Sequence, residues 1–444
     1  MLRLKEYRFP QGFLWGTATS GHQVEGDNAA SDWWQWEQVP GHIRDGTQSG
    51  LACDQWHRYE TDFDLAMSMH TNAHRLGVEW SRVEPREGEW SGQALAHYRQ
   101  VLLALRQRGL QPVVTLHHFV NPAWLAARGG WENPEAVGLF ERYVGKVVEA
   151  LGDLVSLWCT VNEPAGYAYQ AFLIGYWPPQ KRSLGSALTV LRHLLQGHAA
   201  AYRLIHRADP GAQVGIPHYM RVFDPANPRS PLDRMAAGVR DRAFNQLVLD
   251  AITVGKMRLP LGLGVRLPEV AGTYDYLGVD YYHRDQVAFD AKNPAQAFGR
   301  ELPPADRQTA EPFWRGEYSP DGFYRTCIRL AALGKPIYVL ENGFLDNADQ
   351  QRPAHLIRHL VALHRAIQDG APVKGYFHWS LLDNFEWAEG YSTRFGLVHV
   401  DFGTQERTIK RSGLLYGEIC AANAVTEDMI RRYAPDVLAE NQAA

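Results

Sequence analysis

Eight times along these 444 residues an apolar, strand-like run ends in polar residues and gives way to a stretch with helical spacing. Few folds accommodate that alternation. The runs are Phe13–Thr19, Asn72–Trp80, Pro112–Leu116, Trp158–Glu163, Gln213–Pro217, Tyr276–Tyr282, Ile337–Leu340 and Val373–Trp379. The helical stretches that follow them in turn are Asp54–Met69, Ser91–Arg108, Glu135–Leu151, Ser186–Ala208, Arg240–Ile252, Gly322–Leu333, Pro353–Asp369 and Arg411–Ala422. Strands that are apolar nearly throughout suit a parallel sheet buried on both faces, with helices covering the outer one. End signals agree: Gly109, Gly334 and Gly370 stand where helices should close, and Asp209-Pro210-Gly211 stops another.

Eight strand-then-helix units predict an α/β architecture, a single (β/α)8 (TIM) barrel domain over residues 1–444 with long loops on its C-terminal face. No internal repeat or linker-like stretch divides the chain. The segments 27–50, 221–238, 283–318 and 380–410 are rich in Gly, Pro and polar residues and read as those loops. Loops of that length in a compact domain usually carry function. The interior of such a barrel is packed, so a site must be assembled from the strand ends and the loops after them.

Composition narrows the partners. A net charge of −4 without a basic block argues against nucleic acid. No stretch has the apolar length to span a bilayer, and residues 1–9 lack the apolar core of a secretion signal, so a cytoplasmic enzyme is the expectation. Cys53, Cys159, Cys327 and Cys420 are widely spaced with no C-x-x-C, and read as free thiols. There is no His-x-His on the first strand and no His-Glu-x-x-His, so neither metal nor cofactor is expected. The 14 tryptophans and 20 tyrosines are many for this length; flat aromatic faces that stack on sugar rings are one use of them, a large aromatic core the other.

The chemistry gathers at two strand ends. The apolar stretch 154–161 runs into Asn162 and Glu163, and Pro164 disfavours helix at the glutamate, which predicts extended backbone there. Glu341 follows the seventh strand. Carboxyls from those two strands would meet at the barrel mouth, where a pair suits glycosidic bond cleavage: one protonates the leaving oxygen while the other attacks the anomeric carbon or activates water. Glu163 would need a raised pKa for acid work, whereas Glu341 would stay ionised, held by Arg75 and a tyrosine hydroxyl. Gln23, His118 and Asn162 offer donors and acceptors for vicinal hydroxyls, and Trp379 and Trp387 offer flat faces for a pyranose. Because His117 and His118 are adjacent on a strand, they point to opposite sides, and one is expected to be structural.

Four motifs carry a family resemblance. Phe13-Leu-Trp-Gly-Thr-Ala-Thr-Ser-Gly-His-Gln-Val-Glu-Gly26 resembles the N-terminal signature of the β-glucosidase family, glycoside hydrolase family 1. Thr160-Val-Asn-Glu-Pro164 is similar to its acid/base motif and Val339-Leu-Glu-Asn-Gly343 to its nucleophile motif. The stretch Gly375 to Tyr391 resembles its sugar-binding loop, continuing into Arg394-Phe-Gly-Leu397. The resemblance implies a retaining β-glycosidase acting on unphosphorylated β-D-glucosides, with galactosides and fucosides as side substrates, through a covalent glycosyl-enzyme. Glu341 would be the nucleophile and Glu163 the acid, then base. Gln23, His118, Asn162, Glu386 and Trp387 would hold the sugar, Trp379 would floor it, and Arg75 and Tyr282 would contact the nucleophile. The ligand would be a small β-glycoside or oligosaccharide. Glu163 speaks against the myrosinase branch, which has glutamine there, and Glu386 against the 6-phospho-glycosidase branch, which has serine.

The chain departs from the family pattern at several points. Asp280 replaces the usual asparagine of Asn-Tyr-Tyr and adds a third acid near the pair. Phe119 stands for a common tryptophan, His117 to Pro122 and Leu76 to Glu79 differ from the usual continuations, and these bear on sugar preference. Two other readings stand beside hydrolysis. A non-catalytic sugar-binding relative would lack one of the carboxyls, and both are present. A transglycosidase would share the glycosyl-enzyme, its acceptor chosen by loops 165–185 and 283–318, which leaves that alternative open.

Overall fold

Leu14–Ala18 (β1), Ala73–Gly77 (β2), Gln111–Thr115 (β3), Leu157–Cys159 (β4), Gln213–Tyr219 (β5), Tyr276–Asp280 (β6), Ile337–Asn342 (β7) and Val373–Trp379 (β8) close into a parallel barrel. Each strand pairs with its neighbours in chain order, and β8 returns to β1. The computed structural model describes residues 6–258, 262, 264–293, 298–303 and 316–438. The principal helices follow the strands one for one: Gln55–Ser68 (α1), Gly92–Gln107 (α2), Ala136–Leu151 (α3), Leu184–Ala208 (α4), Leu247–Val254 (α5), Pro320–Ala331 (α6), Arg352–Gln368 (α7) and Arg411–Ala422 (α8). This is the expected (β/α)8 barrel.

Two apolar layers hold it together. Inside the barrel Ala18, Ala73, Val113, Leu157, Cys159, Tyr276, Leu340 and Phe377 pack on one another. Small residues facing large ones let that interior fill. A Cβ on Gly16 would stand 2.2 Å from the Phe377 ring, and one on Gly215 would stand 2.4 Å from Tyr276. The second, larger layer lies between strands and helices, where α3 buries Phe140, Tyr143, Val144, Val147, Val148 and Leu151 along one face. Serines start α2, α4 and α6 as N-caps: Ser91 Oγ accepts from Ala94 N–H, Ser183 Oγ from Ser186 N–H and Ser319 Oγ from Gly322 N–H.

The segments read as loops hold short elements that periodicity over so few residues does not reveal. Segment 27–50 contains the helix Asp32–Glu37. Segment 221–238 contains the strand Val222–Pro225 and the start of the helix Pro231–Asp241. In 283–318 the strands Arg284–Phe289 and Gly299–Leu302 join Val222–Pro225 in a small sheet, while residues 294–297 and 304–315 lie outside the described part. Segment 380–410 holds the hairpin Val398–Val400 with Arg407–Ile409. The helix expected over Arg240–Ile252 begins instead at Pro231, passes through a π-turn at Arg242–Gln246 and continues as α5. The fourth strand, expected to reach Glu163, ends at Cys159. The four cysteines are free and buried. No helix among the described residues is long and apolar enough to cross a membrane.

Candidate active site

Glu341 lies near the end of β7, and a change of register delivers it. Val279 of β6 pairs with Val339, but Asp280 pairs with Glu341, so two residues of β7 oppose one of β6. Such a bulge re-aims side chains at a sheet's rim. Glu341 is buried, accepting from Arg75 Nη1 at 2.6 Å on Oε1 and from the Tyr282 hydroxyl at 2.7 Å on Oε2. Arg75, inside β2, is fully buried and has a partner for every side of its fork: Glu341, the Asn162 amide oxygen on Nη2, and Thr115 Oγ1 at 3.0 Å from Nε. A charge in a barrel strand is tolerated only on such terms.

Glu163 sits beyond β4 and is presented differently from the expectation. Its backbone is left-handed, φ 41° and ψ 59°, not extended. Pro164 does exclude right-handed helix at the preceding residue, but it begins the helix Pro164–Tyr167 itself, and Glu163 must turn the chain from strand to helix in one step. Its N–H donates to Pro217 O of the β5 strand at 2.9 Å, which pins the turn. Gly166 leaves room for the side chain: a Cβ there would stand 2.9 Å from Glu163 Oε2.

The two glutamates share a pocket but not an environment. Burial, then the Glu341 carboxylate, push Glu163 well above the ordinary carboxylate range, and Arg75 opposes this only in part. Burial raises Glu341 too, but there Arg75, Tyr282 and Asn162 all favour the anion. Environments that separate two carboxyls in this way set one up as proton donor and the other as anion.

The remaining expected residues form the walls. His118, Tyr282, Trp379, Glu386 and Trp387 line, with Glu163 and Glu341, a cavity of about 720 Å³. The His118 ring is stacked with Trp379, centroids 5.8 Å apart, and with Trp387 at 5.9 Å. Gln23, Asn162 and Arg75 are fully buried and bonded to groups in the wall. Gln23 Nε2 donates to Asn384 Oδ1 at 3.0 Å, to Phe385 O at 3.0 Å and towards Glu386 Oε2 at 3.3 Å, which ties the chain after β1 to the loop after β8. Asn162 Nδ2 lies 3.1 Å from His118 Nε2. Burial, Glu341 and Glu389 push Glu386 up to about 8. His117 is the structural histidine of its pair, with Nε2 3.1 Å from Asn121 Oδ1 and the ring packed on Trp131.

The outer half of the cavity was not legible in the sequence. Tyr169 and Gln170 come from a π-turn, Ala168–Leu173, and Phe244 from the π-turn before α5. With Tyr219 they form an edge-to-face aromatic row, Tyr169 to Phe244 at 6.0 Å, Phe244 to Tyr219 at 5.5 Å and Tyr219 to Tyr282 at 5.8 Å, running outward from the Glu341 partner. π-Turns are a recurrent device for aiming side chains at a site, but no residue pattern announces them. Trp33 and Trp177, from segment 27–50 and the turn after 168–173, back Trp387 at 4.8 and 5.9 Å.

One oxygen from each of Glu163, Asp280 and Glu341 lies within 4.8 Å of the others, a set that could in principle ligate a metal ion. The Arg75 guanidinium already stands against two of the three, 2.6 Å from Glu341 and 3.9 Å from Asp280, where a cation would otherwise balance their charge. One carboxyl held well above its usual range and a second bonded by Arg75 and Tyr282 face one aromatic-walled cavity, an arrangement suited to displacement at an acetal carbon.

The family model for glycosyl hydrolase family 1 matches residues 5–425. A 1,4-beta-D-glucan glucohydrolase of Thermotoga neapolitana is 32% identical over 449 residues, covering 95% of this chain and 100% of that protein. A beta-galactosidase of Pyrococcus woesei is 31% identical, covering 94% and 98%. The solved structure of a beta-glycosidase from Pyrococcus horikoshii superposes with a TM-score of 0.88 at 38% identity, covering 97% of this chain and 98% of that one.

Proposed function

The chain belongs to glycosyl hydrolase family 1 and is a hydrolase of O-glycosyl bonds, and on that premise we propose that it is a retaining β-glycosidase of unphosphorylated β-D-glucosides. β-Galactosides and β-fucosides would be slower substrates; the similarity to a protein named as a beta-galactosidase supports that breadth. In this reading residues 1–444 act as one domain.

The observation that carries the reading is the closeness of two carboxyls in unequal surroundings. An oxygen of Glu163 and one of Glu341 within 4.8 Å of each other favour a retaining pair, whose carboxyls stand about 5–5.5 Å apart, over an inverting pair, whose carboxyls hold a water across about 6.5–9.5 Å. Glu341, ionised, attacks the anomeric carbon. As that bond forms, the bond to the glycosidic oxygen breaks, and Glu163 gives this oxygen its proton, so the aglycone leaves as an alcohol. Glu163, now a carboxylate, takes a proton from water as the water oxygen bonds to the anomeric carbon and Glu341 departs. Two inversions restore the β-configuration.

The other residues act on binding. Trp379 floors the sugar, and Trp387, His118, Asn162, Gln23 and Glu386 meet its hydroxyls, with Tyr282 shared between sugar and Glu341. Arg75 holds the nucleophile's charge. Glu386, a buried carboxyl, can bond a free hydroxyl in either protonation state, whereas a phosphate there would be buried beside an acid instead of a cation.

The test follows the first-formed sugar by proton NMR during hydrolysis of an aryl β-glucoside. β-Glucose released first, before mutarotation, is the expected result, and α-glucose would refute the retaining mechanism. A parallel panel of aryl galactoside, fucoside, mannoside and 6-phospho-glucoside measures the range, and turnover of the phosphorylated sugar at a rate near the glucoside's would refute the substrate class.

A further inference from the structure

Asp280 closes β6 and is fully buried beside the two glutamates, yet neither of its carboxyl oxygens has a hydrogen-bond partner among the described residues. The register shift pairs it with Glu341, and an oxygen of each lies within 4.8 Å of one on the other. The groups facing it are Arg75 from β2, Glu341 from β7, Glu163 beyond β4, the Cys159 thiol of β4 and the Tyr282 phenol. Burial pushes the thiol and the phenol up, so both are neutral. That leaves one positive charge, on Arg75, and it is committed: its Nη1 is 2.6 Å from Glu341 and 3.9 Å from Asp280. One anion is balanced there; a second would be buried with neither counter-charge nor donor.

We propose, resting on the reading of Glu341 as nucleophile, that Asp280 is a positioning residue that works as a neutral carboxylic acid and presents its proton to the Glu341 carboxylate. Burial, reinforced by the Glu341 charge, holds the Asp280 carboxyl well above the usual range, so it stays an acid where most aspartates are ionised. A carboxylic acid kept neutral by its surroundings is a hydrogen-bond donor. Glu341 has lone pairs to spare, since Arg75 takes one position on Oε1 and Tyr282 one on Oε2. An oxygen of Asp280 and one of Glu341 lie within 4.8 Å of each other, and catalytic hydrogen bonds that are long in a free enzyme close when substrate is bound. No proton is transferred: it stays on Asp280 throughout. Glu341 loses its charge when the glycosyl-enzyme forms and regains it when water cleaves that bond, so a neutral donor helps the second step, whereas an ionised Asp280 would oppose it.

The test compares Asp280→Asn, an amide donor of the same shape, with Asp280→Leu, an apolar group of similar volume. The substrate is an activated aryl β-glucoside, for which breakdown of the intermediate limits kcat. We expect Asp280→Leu to lose about tenfold or more in kcat and Asp280→Asn to restore most of it. We also expect the alkaline limb of kcat/KM to stay at or above its original pH in Asp280→Asn. Equal kcat for the two variants would reduce Asp280 to a space-filler and overturn the proposal. An alkaline limb displaced to lower pH in Asp280→Asn would show that an anion had been holding Glu163 protonated, and would overturn it too. Infrared difference spectra of the parent minus Asp280→Asn at neutral pH give a readout independent of turnover and of whether Asp280→Leu folds: a protonated-carboxyl C=O band is expected, and ionised-carboxylate bands in its place would refute the idea. Glu341→Ala runs alongside; if it retained turnover, the nucleophile reading would fall first and this proposal with it. With Glu341→Ala inactive, the Asp280 results bear on the proposal alone.

Discussion

Arg75 Nη1 stands 2.6 Å from Glu341 Oε1, a contact between β2 and β7 with the guanidinium wholly sealed from solvent. The pair is both a structural bolt across the barrel and the source of the glutamate's charge. Arg75→Ala would leave Glu341 buried without its counter-ion, and breaking a buried pair costs about 3–5 kcal/mol. A large fall in the thermal midpoint is expected together with loss of turnover. A midpoint within a degree or two of the parent would show that the pair holds nothing together.

Glu341→Ala should cut kcat/KM on an aryl β-glucoside by about 10⁴-fold or more, because no other group replaces a nucleophile. Far-ultraviolet circular dichroism should be unchanged. Residual activity within an order of magnitude of the parent would remove Glu341 from the chemistry.

Glu163→Ala should discriminate between leaving groups. An aglycone that departs without help is spared in the first step, while a poor one loses the proton it needs. The rate on a poor alkyl or sugar leaving group should fall far more than on an activated aryl one, and added azide should restore the latter by attacking the glycosyl-enzyme where water no longer can. Equal losses on both substrates, with no rescue, would speak against the assignment.

Glu386 gives a pH signature in stability. Burial raises its carboxyl from an ordinary 4.5 to about 8, so between those values the folded protein holds a proton that the unfolded chain has lost. Stability is then lost as pH rises through that window, and is insensitive to this group below and above it. Thermal midpoints of the parent should decline from pH 5 to pH 8 more steeply than those of Glu386→Gln, which carries no titrating proton. Parallel curves would mean that Glu386 is ionised in the folded state.

Gly16→Ala tests the interior packing. The added methyl would meet the Phe377 ring at 2.2 Å, and overpacking a close-packed core typically costs about 1–3 kcal/mol. The denaturant midpoint should fall, and Phe377→Leu should recover part of the loss in the double variant. Additive losses would place the strain elsewhere.

The architecture was legible because burial on both faces forces a barrel strand to be apolar, and helices alternate with such strands. All eight strands and the helix after each were visible in that alternation, with boundaries mostly within a few residues. The gathering of polar side chains at the barrel mouth was legible for the same reason. Where an apolar run stops at Asn162-Glu163 or Glu341-Asn342, polar groups have only the barrel mouth to occupy. Tertiary structure alone decided how those groups meet. The left-handed turn at Glu163 is held by a bond to Pro217, and the bulge that sets Glu341 against Asp280 is a register between two strands. The Gln23 tether to the loop after β8 and the aromatic row from two π-turns likewise join residues far apart in the chain. The surroundings of Asp280 belong with them: an aspartate's sequence neighbours do not say that the arginine facing it is already bonded to Glu341. Local sequence encodes which residues must be buried, but their partners inside are settled only when the barrel closes.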